Sequence, residues 1–354
     1  MTYKKNILVA PLNWGLGHAS RCVPIINKLL KEGFNPIIAS DGNALLFLQK
    51  EFPNLVSIEL PSYDLQYPSN GKFMFWKLLS QVPKIKTAVK KEKRILDQII
   101  SEYNIKGIIS DNRFGIYSDT VPAAYITHQL NIIAGLFSSI INRVHFSIIR
   151  QFKACWVPDF SNRDLSLAGE LSQANLKVKY IGPMSRFKPF KQSLYKWDVL
   201  VLVSGLEPLR TTFETEMIKR FKHSNNKVLV VRGVPSSKDH NRVIKKDNLF
   251  VVDCLFGSEL ESIIQESELV IARSGYSTIM DLFAMGKKVF FIPTDGQTEQ
   301  EYLAKHLEAK NIAPYSKLED FQVSDLNKIQ QYKGFTSEQE LKLSKDLFDV
   351  FKSE

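Results

Sequence analysis

At 354 residues, with 44% apolar residues, 24% charged residues and a formal net charge of +10, the chain is too long for one core and fits two domains of about 150–200 residues each. It has no apolar run of 18 residues, which excludes a transmembrane helix, and the four-residue apolar stretch in "MTYKKNILVAP" is a strand rather than a signal-peptide core. Three scattered cysteines, Cys22, Cys155 and Cys254, exclude a disulfide framework and suit a reducing cytoplasm, while the positive charge calls for an anionic partner such as nucleotide phosphates, an acidic membrane surface or nucleic acid.

Short β-branched runs alternate with helical patterns along the whole chain. The first set of strand candidates is 6–11, 35–40, 55–60, 106–110, 123–127, 154–158 and 176–182. After "PMSRFKPFKQS" the pattern restarts with 197–204, 227–233, 249–253, 268–272 and 288–293. Continuous apolar strands separated by helices imply doubly wound parallel sheets. The expected architecture is therefore two Rossmann-like α/β domains, 1–185 and 196–335, joined near Gly182–Lys196. The last stretch, "TSEQELKLSKDLFDVFKSE", pairs Ser337 with Glu340 as a helix start and places Leu341, Leu347, Phe348 and Phe351 on one face. It predicts a terminal helix over 336–354 that packs back on the first domain.

Two strand-to-helix turns carry the chemistry. In "APLNWGLGHASR", from Ala10 to Arg21, Gly15 and Gly17 stand where the first strand ends, and His18 opens the helix. Glycine lets the backbone turn tightly, and a helix N-terminus offers N–H groups to an anion or a polar ligand. The third position of a dinucleotide fingerprint is Ser20 rather than glycine, so a plain turn capped by histidine fits equally well. Asp41 in "SDGN" reads as a turn residue or as a ribose acid. In the second half, strand 268–272 runs into Arg273, Ser274 and Gly275, and then into a helix. Asp281 follows Ser274 by seven residues, about two turns or roughly 10 Å along one face. That spacing suits a diphosphate at the helix mouth and a ribose beside Asp281, whose ionised carboxylate can only accept hydrogen bonds. Gln300 and Glu301, in the loop after the next strand, are placed to read sugar hydroxyls, although Asp281 and Glu301 also fit solvated helix charges.

At these motifs the chain resembles the GT-B glycosyltransferases and is similar to the MurG group within them. The opening turn resembles the group's Gly-Gly-Thr-Gly-Gly-His loop at Gly17 and His18. "HQLNIIAG" matches its His-Glu-Gln-Asn-x-x-x-Gly segment at His128, Asn131 and Gly135. "VSGLEPLR" takes the place of its second glycine-rich loop. The best match runs through Arg273, Ser274, Gly275, Thr278, Gly286, Pro293, Gln300 and Tyr302. Asp281 replaces a ribose-binding glutamate and Glu301 replaces a glutamine. The resemblance implies a UDP-sugar, foremost UDP-N-acetylglucosamine, on the C-terminal domain and an acceptor on the N-terminal domain. It also implies inverting transfer between them with no cofactor and no metal, and the sequence contains no Asp-x-Asp.

An inverting displacement needs a base for the acceptor hydroxyl and charge or N–H donors for the leaving diphosphate. His18 is the first choice of base. Asp111 is its rival, with orienting the acceptor or pairing with Arg113 as its alternative roles. His128 and Asn131, with Gly15 and Gly17, are placed on the acceptor side. Ser204, Gly205, Arg210 and Phe256 join Arg273, Ser274 and Gly275 around the nucleotide, with Arg210 gripping phosphate oxygens and Arg273 either doing the same or buttressing its loop. In 70–94, Phe73, Met74, Phe75, Trp76, Leu78 and Leu79 stand among eight Lys/Arg and the single acid Glu92. That composition fits either an anionic membrane surface serving a lipid-linked acceptor or a helix pair with solvated lysines. A UDP-sugar hydrolase or epimerase and a non-catalytic sugar-nucleotide-binding subunit are the alternative functions. Nucleic-acid binding is disfavoured, because no reading motif accompanies the lysines.

Overall fold

The run Ile7–Ala10 is buried to the last side chain, as expected of a strand covered on both faces. The computed structural model describes residues 4–66, 68, 77, 79–189, 194–234, 243–336 and 342–352, and gives backbone alone at 243–246. The first unit holds β1 (Asn6–Pro11), β2 (Asn35–Ser40), β3 (Ser57–Glu59), β4 (Ile105–Asp111), β5 (Ala123–Ile126), β6 (Ala154–Val157) and β7 (Lys179–Tyr180). These strands form one parallel sheet in the order β3-β2-β1-β4-β5-β6-β7. Helices α1 (Gly17–Lys31), α2 (Gly42–Glu51), α3 (Val82–Glu102) and α4 (Ser138–Ile149) belong to it.

The second unit has a six-stranded sheet built from β8 (Trp197–Leu202), β9 (Val228–Val231), β10 (Val243–Lys246), β11 (Leu249–Val252), β12 (Ser267–Ala272) and β13 (Val289–Phe291). Their order is β10-β11-β9-β8-β12-β13. Its helices are α5 (Leu209–Phe221), α6 (Gly257–Gln265), α7 (Tyr276–Met285) and α8 (Thr298–Ala309). Val199, Val201, Phe213, Met217, Val230, Ile271 and Phe290 are among the buried side chains of its core. The chain passes to the second unit after Arg186 and returns to the first for its last residues, 342–352 among those described.

Strand order reverses beside β1 and β4 in the first sheet, and beside β8 and β12 in the second. In open α/β sheets the carboxyl ends of such strands are where ligands bind. One strand is not expected from the sequence. β10 pairs antiparallel with β11 across a tight turn at Asp247 (φ 52°) and Asn248, and the signal for it was the Asp-Asn pair itself.

The expected terminal helix is not formed as such. Residues 337–341 lie outside the described residues, and 347–351 make a short 3-10 turn. Leu347, Phe348 and Phe351 are buried nonetheless. Phe348 meets Phe34 edge-on at 5.7 Å and Trp156 at 6.1 Å, and Lys5 donates to the Phe351 carbonyl at 3.2 Å. Gly107 makes room for this segment, because a Cβ there would lie 2.6 Å from the Phe351 ring.

His145 on α4 is buried at 6% exposure, with Nδ1 unpartnered and Nε2 3.4 Å from the Tyr125 hydroxyl. Burial pulls its pKa down to about 4. An unfolded histidine titrates near ~6.5, so between that pH and pH 4 the unfolded chain takes up a proton that the folded chain refuses. Stability is full at neutral pH and is lost as the pH falls through this window, by about 3 kcal/mol at the lower end. Urea unfolding of His145→Leu followed from pH 7 to pH 4.5 should show a shallower loss than the parent chain. An equal slope would remove His145 as the cause.

Candidate functional site

The carboxyl ends of β1 and β4 bring His18 and Asp111 together. Leu12 N–H donates to the Asp111 carbonyl at 2.9 Å, tying the loop after β1 to β4. Gly15 then turns the chain with φ 73°, a conformation that favours glycine. α1 begins at Gly17 with no side-chain cap and no acid in its first turn. His18 is its second residue, and its side chain keeps 15% of its surface exposed.

Asp111 is fully buried at the end of β4. His18 Nδ1 lies 2.9 Å from its Oδ1, so Nδ1–H donates to the carboxylate and the ring's lone pair sits on Nε2. Arg21, one turn along α1, donates through Nε to Asp111 Oδ2 at 2.5 Å and through Nη2 to Oδ1. Its Nη1 also donates to His128 Nδ1 at 3.2 Å. Burial would push the Asp111 carboxyl up, but the charges and hydrogen bonds of Arg21 and His18 outweigh it and hold it well below the usual carboxylate range. For His18, burial first and the Arg21 charge second pull the pKa below the ordinary histidine value, against the opposing pull of Asp111. The arrangement is an ionised, fully occupied carboxylate holding a neutral imidazole. Only the imidazole has a basic lone pair to offer.

Beside this pair lies a second buried ion cluster that the sequence did not announce. Pairing with Arg113, one of the alternative roles the sequence left open for Asp111, is not what the structure has. Arg113 turns away, pairing with Asp41 and, through Nη1 at 2.7 Å, with Glu92. Its Nε donates to the Pro11 carbonyl at 3.0 Å. Glu92, expected as one acid among solvated lysines, is fully buried and also accepts from the Tyr63 hydroxyl at 2.7 Å and from Gly115 N–H. Asp41 Oδ2 accepts from Asn13 at 3.1 Å, and Asn13 Oδ1 accepts from Ala44 N–H. The loop carrying Gly15 is therefore anchored to β2, β4 and α3. Asn131, placed on the acceptor side, uses its carbonyl oxygen to accept from Asn142 at 2.8 Å and so ties its loop to α4.

In the second unit the turns after β8 and β12 lie on neighbouring strands. Ser204 and Gly205 (φ 109°) follow β8, and a Cβ on Gly205 would meet nothing. Gly275 is the N-cap of α7 with ordinary backbone angles (φ −72°, ψ 138°), and open space lies where its Cβ would stand. α7 has neither a side-chain cap nor an acid in its first turn, so first-turn N–H groups stand outside the helix's own ladder. Ser277, Thr278 and Asp281 share its half-buried face, while Tyr276, Ile279, Met280 and Leu282 point into the core.

Several neighbours are occupied within the protein. Ser274 is buried and its hydroxyl donates to the Gln300 carbonyl at 2.8 Å. The Gln300 side chain accepts from Thr294 N–H, and Glu301 accepts from Gly296 N–H at 2.8 Å. Arg273 is a buttress: it donates to the carbonyls of Ile292 and Pro293 and lies over the Phe213 ring at 4.2 Å. Burial brings its pKa down to about 9. Arg210 is 7% exposed and pairs with Glu207 at 2.6 Å and Glu214 at 2.7 Å, while donating to the Arg232 carbonyl. Arg232, which no sequence motif singles out, pairs with Glu214 and Asp253 and keeps 28% of its side chain exposed. It directly follows β9, as Asp253 follows β11, and opposite charges at two adjacent strand ends were the available signal. Phe256 is the N-cap of α6, beyond β11.

Residues 200–344 match the model of the glycosyltransferase family 28 C-terminal domain. Among solved structures, MurG of Acinetobacter baumannii superposes with a TM-score of 0.54 at 13% identity, over 94% of this chain and 93% of that one. The spinosyn rhamnosyltransferase SpnG reaches a TM-score of 0.64 at 14% identity, over 93% of each chain. SpnG complexed with thymidine diphosphate gives 0.60 at 14% identity, over 93% of this chain and 90% of that one. The chain has the GT-B fold, and its second half matches a glycosyltransferase domain. No curated protein sequence matches it. Identities this low carry the fold and leave donor and acceptor to the chemistry of the residues.

Proposed function

We propose that the chain is a metal-independent, inverting glycosyltransferase that moves a sugar, foremost N-acetylglucosamine, from a UDP-sugar to the hydroxyl of a lipid-linked acceptor. The observation that carries this reading is the His18–Asp111 pair, a neutral imidazole held by an ionised carboxylate at the switch point of the first sheet. The acceptor O–H gives its proton to His18 Nε2 as its oxygen attacks the anomeric carbon. The bond to the nucleoside diphosphate breaks on the opposite face, and the configuration inverts. Asp111, already ionised, steadies the imidazolium that forms. For the diphosphate, the second unit offers the first turn of α7, where backbone N–H groups favour an anion. Thymidine diphosphate in SpnG supports a nucleoside diphosphate as the ligand class, and Asp281 on the half-buried face of α7 suits a ribose.

A thermal-shift screen against UDP-N-acetylglucosamine and dTDP-sugars tests the donor, with UDP-N-acetylglucosamine expected to give the largest shift. Gly275→Asp sharpens it. Aspartate is a favoured N-cap and meets open space there, so the variant should melt no lower than the parent. Its carboxylate would repel the diphosphate and weaken donor binding by about 100-fold or more, the ~3 kcal/mol expected of a like charge placed at an anion site. Unchanged affinity would take the diphosphate away from α7. UDP release that needs no acceptor would convert the transferase into a hydrolase.

The lipid-linked acceptor and a peripheral place at the inner face of a membrane rest on the first unit's surface. Phe73–Trp76 and Leu78 lie outside the described residues. Among the described ones, Leu136 is 99% exposed, Ile140 64% and Val144 56%, and no acid occurs between Asp119 and Asp159. With Glu92 buried, the first turns of α3 present lysines alone. No helix among the described residues is long and apolar enough to cross a membrane. Vesicles containing anionic lipid should float the protein, and Leu136→Ser/Ile140→Ser should reduce the floated fraction several-fold. Equal recovery with neutral and anionic vesicles would end the membrane reading.

A further inference from the structure

The histidine and carboxylate of the first unit do not stand alone. A bare Asp–His pair has one compensating charge available, the imidazolium itself, and so draws a proton onto the ring. Here the counter-charge is already present. Arg21 is 2% exposed and grips both oxygens of Asp111, and a guanidinium does not give up its proton. Its Nη2 lies 2.9 Å from His18 Nδ1, and both nitrogens approach the same Oδ1. Nδ1 faces a carboxylate oxygen that can only accept and an Arg21 nitrogen that can only donate. A lone pair on Nδ1 would oppose the ionised Oδ1, whereas Nη2 is already satisfied at that oxygen, so Nδ1–H points at the carboxylate and the lone pair sits at Nε2. The third arm of the fork, Nη1, donates to His128 Nδ1 at 3.2 Å. His128 is thereby fixed the other way, with its proton on Nε2.

We propose that Arg21 is a positioning residue that assigns opposite tautomers to His18 and His128 and keeps His18 available as a base on the acid side of neutrality. This rests on the reading of His18 as the base. The charged and titratable groups that face His18 are Asp111 from β4, Arg21 from α1 and His128 from the turn after β5. Cys22, 3.8 Å from Asp111 Oδ2, borders the same carboxylate. Of these, only Asp111 favours the imidazolium. The start of α1 disfavours it as well, since the positive end of the helix dipole lies at His18. Removing Arg21 leaves Asp111 as the dominant neighbour, and the proton then returns to His18.

Long-range proton–nitrogen NMR of the imidazoles in the full chain reads tautomers and titration without any substrate. The chain has six histidines, and His18→Gln and His128→Gln assign the two signals. In the parent protein, His18 should carry its proton on Nδ1 and His128 on Nε2. In Arg21→Met the His18 midpoint should rise by one pH unit or more, and the acid limb of kcat/KM should rise with it while the donor KM stays within two-fold. Arg21→Lys keeps the charge but loses the fork. It should restore at least half of the His18 midpoint while His128 loses its single tautomer, and it stands in for Arg21→Met should that variant fail to fold. Unchanged tautomers and an unchanged His18 midpoint in whichever variant folds would overturn the proposal. A shifted midpoint in a protein that transfers no sugar would leave Arg21 in its role and sink the transferase reading instead.

Discussion

His18→Ala should lower turnover by about 10²–10⁴-fold, the range general-base catalysis supplies, while donor affinity stays where it was. The two measurements separate because the donor ligands proposed here, α7 and Asp281, belong to the second unit and His18 to the first. Titration calorimetry with UDP-N-acetylglucosamine reads the one, and sugar transfer reads the other. The pH profile adds a sign. Burial and Arg21 hold the His18 pKa below its ordinary value, so the neutral, active form persists as the pH falls. The acid limb of kcat/KM should lie below the ~6.5 of an unperturbed histidine. A limb above that value, or near-normal turnover in the alanine variant, would exclude His18 as the base. Asp111 is then no substitute, since both its oxygens are taken and its carboxyl is held ionised by Arg21.

The strands were legible because parallel strands buried on two faces have no polar positions to disguise them: Ile7–Ala10, Ile108–Ile109 and Val228–Val231 are continuous apolar runs. The two turns at the switch points were legible for a similar reason. Glycine beside histidine, or serine beside glycine, at the end of such a run marks a tight turn into a helix whose first N–H groups lie outside its own ladder. What stayed hidden was the wiring of charged side chains. Arg113 sits two residues from Asp111 and looks like its partner, yet it pairs with Asp41 and Glu92, 72 and 21 residues away. Periodicity places a side chain on a face, but it does not say which of several acids lies opposite. Arg21 hid behind its neighbour for the same reason. It lies three residues after His18 on the same helix face, and only the position of β4 reveals that both reach one carboxylate. The terminal helix failed differently. Its apolar side chains belong to a buried layer, as expected, but Phe348 and Phe351 reach that layer from a 3-10 turn, where the i, i+3 and i+4 spacing looks much the same.

Arg113→Met should cost the first unit about 3–5 kcal/mol, the penalty for leaving a buried charge without its partner. The cluster is as buried as any in the chain: Arg113 and Glu92 are 0% exposed and Asp41 is 4%. Burial already pushes Glu92 up against the downward pull of Arg113, so without the guanidinium Glu92 should take up a proton more readily while Asp41 loses its ion pair. The melting temperature should fall by roughly 10 °C. Activity should fall further than the stability loss explains, since Asp41 holds Asn13 and Asn13 holds the loop that delivers His18. The control is Arg113→Met/Glu92→Leu/Asp41→Asn, in which no charge is left stranded. Buried ion clusters replaced whole by apolar groups often lose little stability, so the triple variant should regain most of the melting temperature. Turnover should recover less than the melting temperature does, because an amide oxygen at position 41 accepts from Asn13 without the charge that strengthens a carboxylate's hydrogen bond. A single variant that melts within about 2 °C of the parent would mean that water reaches the cluster and that Arg113 carries no structural charge.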